Sequence, residues 1–118
     1  MMQARERFIE RRKSQRIAVT GGHASFLPLT EGAASSEGEA LLLNLSLHGC
    51  QLESEQILPH NQPYQLILHV PSHLRPFRIE KAITRWIDGH LHGLQFLDLD
   101  SECEVELRSA IRDLSPAT

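Results

Sequence analysis

The sequence predicts an all-β domain, an antiparallel sheet that curls on itself, with one helix at its C-terminal end. Three observations predict it. Apolar and polar residues alternate through several short runs, the period of a half-buried strand. Asp88-Gly89 joins two of those runs and is a strong hairpin signal. Beyond Ser101 the apolar spacing lengthens to that of a helix. A chain of 118 residues is long enough for one domain with a modest core.

Met1–Lys13 reads as a basic leader, flexible or briefly helical, because Phe8 and Ile9 are its only strong apolar contacts and so short a helix is marginal alone. The domain proper is assigned to residues 14–118. Arg16–Thr20 is its first strand, with Ile17 and Val19 on the apolar side, and Gly21-Gly22 breaks or bends it. Phe26 and Leu27 begin a return strand before Pro28. Thr30–Ala40, rich in Gly, Ala, Ser and Glu, is expected to be a mobile loop. Leu41–Leu52 (LLLNLSLHGCQL) follows, and Glu53–Pro63 reads as a connection. Tyr64, Leu66, Leu68 and Val70 share one face of the next strand, which Pro71 ends. Phe77–Ile87 and His90–Leu97 flank the hairpin, with Leu94 and Phe96 pointing inward. The helix is assigned to residues 101–114. Ser101 and Glu104 have the spacing of a capping box, and Pro116 stops the helix. Its stripe of Cys103, Leu107, Ala110, Ile111 and Leu114 needs a partner, either the barrel mouth or a second subunit.

Composition narrows the function. A hydrophobic content of 41% is that of a folded protein, and no apolar run is long enough to span a bilayer. The N-terminus lacks the apolar core of a secretory signal, so a cytoplasmic location is expected. Cys50 and Cys103 lie within apolar patterns and read as buried thiols, too few for a disulfide framework. The net charge of −3 conceals an asymmetry. Arg5, Arg7, Arg11, Arg12, Lys13 and Arg16 crowd the start against Glu6 and Glu10, and the remainder is acidic. A positive head suits an anionic ligand, but the patch is short and lacks the interleaved aromatics of a single-strand nucleic-acid binder, so no nucleic acid is expected.

The most informative stretch is Leu41–Leu52. Leu43, Leu45 and Leu47 fall on one face of an extended strand, and Asn44, Ser46 and His48 on the other. Gly49 marks a bulge, a turn or a close approach. Two small hydrogen-bonding side chains beside a glycine suit a flat polar ligand, and they equally suit a strand ending in a turn. The chain also carries RxxxR at Arg12–Arg16, NxSxxG at Asn44–Gly49, an apolar strand around Trp86, a hairpin, and then Gly93-Leu94-Gln95-Phe96.

In that order and spacing these motifs resemble the PilZ domain family, bacterial receptors for cyclic di-GMP, over nearly the whole chain. The resemblance implies a six-stranded antiparallel β-barrel with a C-terminal α-helix, which agrees with the pattern above. It implies a ligand held across the barrel surface between the arginine-rich segment and the second motif. Arg12 and Arg16 match the two motif arginines, and Asn44, Ser46 and Gly49 match the fixed positions of the second motif. Arginine at Arg11 implies an intercalated pair of cyclic di-GMP molecules, where an apolar residue would imply one. With no second domain in view, the resemblance implies output through the surface to an effector protein, with a homodimer also open. Relatives without nucleotide binding act as protein adaptors, notably in type IV pilus assembly, and these usually lack both motifs.

The residue types suit such a ligand. Arginine offers a planar fork to phosphate or to guanine O6 and N7, and a flat face to a base. Asn44 presents both a donor and an acceptor to a guanine edge, Ser46 a compact hydroxyl, and Gly49 an unobstructed surface. Trp86 reads as a core or barrel-surface aromatic rather than a stacking platform. The histidines, among them the pairs His90/His92 and His69/His73, lack a completing Cys or acidic group, so no metal is expected. His48 and Cys50 lack an orienting third group. No HExxH, GxSxG or phosphate-binding glycine loop is present, and a non-catalytic receptor is expected.

Overall fold

The computed structural model describes residues 16–30, 37–73 and 75–114. Strands β1 (Ile17–Pro28), β2 (Gly38–Leu45), β3 (Gly49–Glu53), β4 (Pro63–His69), β5 (Phe77–Asp88) and β6 (Leu91–Phe96) precede one helix, α1 (Ser101–Leu114). The strands close into an antiparallel barrel in the order β1-β2-β3-β6-β5-β4, with β4 returning to β1. Closure removes every exposed sheet edge. The expected six-stranded barrel with a C-terminal helix is the fold observed.

The inward faces meet in a core of Phe26, Leu42, Leu45, Leu52, Tyr64, Leu66, Leu68 and Ile79, all essentially without solvent contact. Truncating one such leucine to alanine costs roughly 2–5 kcal/mol. β4 keeps strict alternation, and Tyr64, Leu66, Leu68 and Val70 are buried as expected. Leu58, from the connection between β3 and β4, also enters the core.

Other strands alternate only piecewise, because bulges reverse which residues face inward. In β1 the inward residues are Ile17 and Val19, then Gly22, Ala24 and Phe26, with the shift lying between Ala18 and Gly22. Gly21 turns the corner at φ +79°. Gly21-Gly22 therefore bends one long strand, and Phe26-Leu27 continues it rather than starting a return strand. The expected loop at Thr30–Ala40 is likewise shorter at its far end, since β2 begins at Gly38, where Phe26 pairs with it.

The β5–β6 loop is Gly89-His90, with Asp88 opposite Leu91 and Gly89 at φ +62°. A positive φ at the first loop place suits a type II′ turn. Helix α1 lays Leu107 and Ala110 on the barrel core, flanked by Cys103, Ile111 and Leu114, so the predicted stripe packs on its own barrel. The cap differs from expectation. Asp100 is the N-cap, its carboxylate accepting the Cys103 N–H at 2.7 Å and its carbonyl the Glu104 N–H at 2.9 Å. Ser101 already belongs to the helix. His73 fastens α1 from the side, reaching Glu106 at 2.9 Å and Asp113 at 3.5 Å while its ring stands edge-on to Phe77.

Candidate functional site

The stretch Leu41–Leu52 is a hairpin of β2 and β3 around Ser46-Leu47-His48. A register shift between Leu42 and Asn44 places both Leu42 and Leu45 inside and turns Asn44 outward, half-buried. Because β2 ends at Leu45, Asn44, Ser46 and His48 do not form the single outer row that strict alternation implies. His48 is exposed, whereas Ser46 is only 6% exposed and serves its own turn. Its hydroxyl accepts the His48 N–H at 3.2 Å and donates to the Gly49 carbonyl at 3.3 Å, which also accepts the Ser46 N–H at 2.9 Å. This is a hydroxyl-closed turn that fixes the hairpin mouth.

Gly49 is required by close approach. It pairs with Gln95 of β6, and a Cβ there would collide with the Leu94 carbonyl oxygen. Immediately beyond it Cys50 points into the core, and burial pushes its thiol up to about 12 against the opposing pull of Arg16. So high a value leaves Cys50 no nucleophilic role, and exposed His48 does not share its face.

Arg16 precedes Ile17, which pairs with Leu45, so the register brings exposed Arg16 to the level of Ser46. Arg16, Asn44, Ser46 and Gly49 are thereby gathered at one end of the β1–β2–β3 surface. Arg11 and Arg12 lie outside the described residues, as do the leader Met1–Lys13 and Pro116.

From Asn44 a continuous row crosses the outer surface. Ala18 pairs with Asn44, Asn44 with Gln51, Gln51 with Gly93, and Gly93 with Trp86. The Asn44 side-chain Nδ2 donates to Gln51 Oε1 at 2.7 Å, while Asn44 Oδ1 is buried with no hydrogen-bond partner among the described residues. At the row's end the Trp86 indole fills the space a side chain at Gly93 would need. Trp86 is thus half-buried on the barrel exterior, one of the two settings expected for it, the other being the core. One row further along, Arg85 Nε donates to Gln95 Oε1 at 2.6 Å, next to Gly49.

Sequence reasoning passed over Gln51 and Arg85. Gln51 was legible in part, since alternation from Gly49 places it on the same outer face. Arg85 was not, because its approach to Gly49 passes through a cross-strand partner, Gln95.

Elsewhere, a concavity lined by Glu39, Glu53 and Glu55 with His23 and His90 is acidic and repels a polyanionic ligand. His92, one of the histidines weighed as a ligand, is fully buried and structural. Its Nε2 accepts the Leu58 N–H at 3.1 Å and its Nδ1 faces the His90 carbonyl at 3.0 Å, which fixes the Nδ1–H tautomer. Among the described residues no group of three His, Cys, Asp or Glu is disposed to hold a metal, and no helix is long and apolar enough to cross a membrane.

Comparison with known proteins agrees with this fold. The family model described as PilZ domain matches residues 10–113. No curated protein gives a significant match. Among solved structures, that of YcgR from Escherichia coli in complex with c-di-GMP aligns with a TM-score of 0.72 at 21% identity. The alignment covers 88% of this chain and 46% of YcgR, so the chain spans about half the length of that protein. At this identity the likeness concerns the fold.

Proposed function

The chain belongs to the PilZ domain family, and from that premise we propose that it is a cyclic di-GMP receptor that relays ligand binding to a partner protein. The observation that carries the reading is the grouping of Arg16 with Asn44, Ser46 and Gly49 at one hairpin mouth on the barrel exterior. Arg11, Arg12 and Arg16 supply forks for the phosphates and guanine edges, Asn44 supplies hydrogen bonds to a base, and the Ser46 turn with Gly49 shapes the surface between them. Arg11 favours an intercalated pair of ligand molecules. E. coli YcgR, which shares the fold, was solved with c-di-GMP bound.

The function is binding without catalysis. Ligand binding alters the surface at the hairpin mouth, and that altered surface is what an effector protein reads, in the cytoplasm. Helix α1 packs on its own barrel and leaves its exposed Val105 face for a partner or a second copy.

Titration calorimetry with cyclic di-GMP tests the reading, run beside an Arg12→Ala, Arg16→Ala double variant. The expected result is micromolar or tighter binding by the parent chain, lost in the variant, with a ligand-to-protein ratio near two. Absence of heat, with an unshifted amide spectrum, overturns the receptor reading in favour of a nucleotide-independent adaptor of the same fold.

A further inference from the structure

The acidic concavity on the barrel exterior, about 920 Å³ in volume, holds more than charge. Leu41 lines it and, at 53%, is the most exposed leucine among the described residues. It pairs with His23 on one side and Glu53 on the other. His23 in turn stacks on His69 with ring centroids 4.5 Å apart, so the leucine adjoins a pair of packed rings. Glu39, Glu53 and Glu55 line the same concavity, all three exposed and none of them in an ion pair among the described residues. Carboxylates gathered round an exposed apolar side chain suit a partner that sets an apolar group between cations.

The same chain carries that pattern. Arg5, Arg7, Arg11, Arg12 and Lys13 surround Phe8-Ile9, with Glu6 and Glu10 opposing them. We infer that the concavity is the docking site of the chain's own leader, with Phe8-Ile9 against Leu41 and the stacked imidazoles, and Arg5 and Arg7 facing the three glutamates. Reach permits it. Arg16 stands level with Ser46, and Leu41 lies five residues back along β2, roughly 17 Å at the rise of a strand. Phe8 is eight residues before Arg16, a tether of up to about 27 Å when extended. Arg12 is only four residues before it, at most about 14 Å, so its backbone stops short of the concavity. Docking therefore keeps Arg11 and Arg12 on the span between, which passes the level of Asn44. Exposed ion pairs are weak and screened by salt, so the apolar contact holds the leader and the charges fix its place.

Amide spectra of the full chain, recorded without nucleotide, test the docking. Phe8→Ser and the Arg5→Glu, Arg7→Glu pair are each expected to shift the amides of Leu41, Glu53 and His90, and to leave those of core residues Leu68 and Ile79 in place. Raising salt from about 0.05 M to about 0.5 M should move the parent toward the charge-reversed spectrum. Adding Glu53→Lys and Glu55→Lys to the charge-reversed leader restores the attraction, and the Leu41 amide should return toward its parent position. Amides of the concavity that ignore both leader variants overturn the docking. A Leu41 amide that stays displaced in the charge-swapped chain overturns the pairing of Arg5 and Arg7 with the glutamates. Shifts that grow with protein concentration overturn the inference in favour of a second copy's leader. The receptor reading stands through each of these failures, because the docking does not rest on it.

Discussion

The indole of Trp86 sits in the space that a side chain on its cross-strand partner Gly93 would occupy. Neither residue explains its position alone. Glycine in a strand interior weakens it, and an aromatic laid over the gap restores the buried contact that the missing side chain forfeits. The pair lies at the end of the outer row that runs from Asn44 through Gln51.

Gly93→Ala is therefore expected to destabilise the barrel by about 1–3 kcal/mol, although alanine is ordinarily the better strand residue. Trp86 is the only tryptophan, so its fluorescence reports the pair directly. Displacement of the indole into water red-shifts the emission. In a Trp86→Ala background the Gly93→Ala change should cost at least about 1 kcal/mol less, since the collision is gone. Equal costs in both backgrounds would refute the pairing.

His92 gives a pH-dependent prediction. Burial lowers its pKa below the ordinary 6.5, against the raising effect of the His90 carbonyl, and the neighbouring His90 ring lowers it further. The unfolded chain thus binds a proton that the folded chain refuses. This contribution to stability is complete above pH 6.5 and is lost as pH falls from there toward the folded-state value. Protonation at Nε2 also removes the acceptor of the Leu58 N–H, which holds the core plug between β3 and β4. His92→Leu should cost roughly 1–3 kcal/mol at pH 7.5, from the orphaned amide. Urea unfolding at pH 7.5 and 5.5 should show a smaller pH difference for the variant than for the parent. An unchanged difference would remove His92 from the acid response.

Much of this fold was legible because β4 and the β5–β6 hairpin obey local rules. Tyr64 to Val70 alternates without interruption, and Asp88-Gly89 marks the turn by the chemistry of glycine alone. Two of the misread strands share one cause. A bulge adds a residue to one strand only, and period-two reading then assigns every later side chain to the wrong face. Ile17 and Val19 lead to Gly22 and Ala24 in β1, and Leu42 leads to Leu45 in β2, through such shifts. Gly21 signalled the first as a break, with nothing local to distinguish a break from a bend. No glycine marks the second, at Leu43, and Ser46 leaves the row of Asn44 for a separate reason, since β2 ends at Leu45 and Ser46 opens the turn. The candidate site was legible as a motif, but the hydrogen bond from Asn44 to Gln51 and the approach of Arg85 to Gln95 belong to cross-strand register, which only the closed barrel sets.

The helix start separates two residues that sequence spacing confuses. Ser101 with Glu104 has the pattern of a capping box, yet Asp100 makes the cap with both its carboxylate and its carbonyl. Asp100→Ala should destabilise the protein by about 0.5–2 kcal/mol, whereas Ser101→Ala should fall within about 0.5 kcal/mol of the parent. Thermal unfolding of the two variants decides between the caps. A larger loss at Ser101 would restore the capping box.

Gly49 and Arg16 both belong to the candidate site, but only one of them can test it cleanly. A side chain at Gly49 meets the Leu94 carbonyl oxygen, a backbone atom that cannot swing aside as a rotamer would. Gly49→Ala is expected to cost at least about 2 kcal/mol of stability by overpacking the β3–β6 pair, and any binding loss would carry that damage with it. Arg16 is exposed immediately before β1, so Arg16→Ala should change stability by no more than about 0.5 kcal/mol. Its effect on cyclic di-GMP is expected to be a loss of about 2–4 kcal/mol, because a charged contact desolvated by the ligand is removed. Stability and affinity should therefore separate, with Gly49→Ala moving the first and Arg16→Ala the second. An Arg16→Ala variant that binds cyclic di-GMP as tightly as the parent would detach the hairpin mouth from ligand recognition, whatever Gly49→Ala does.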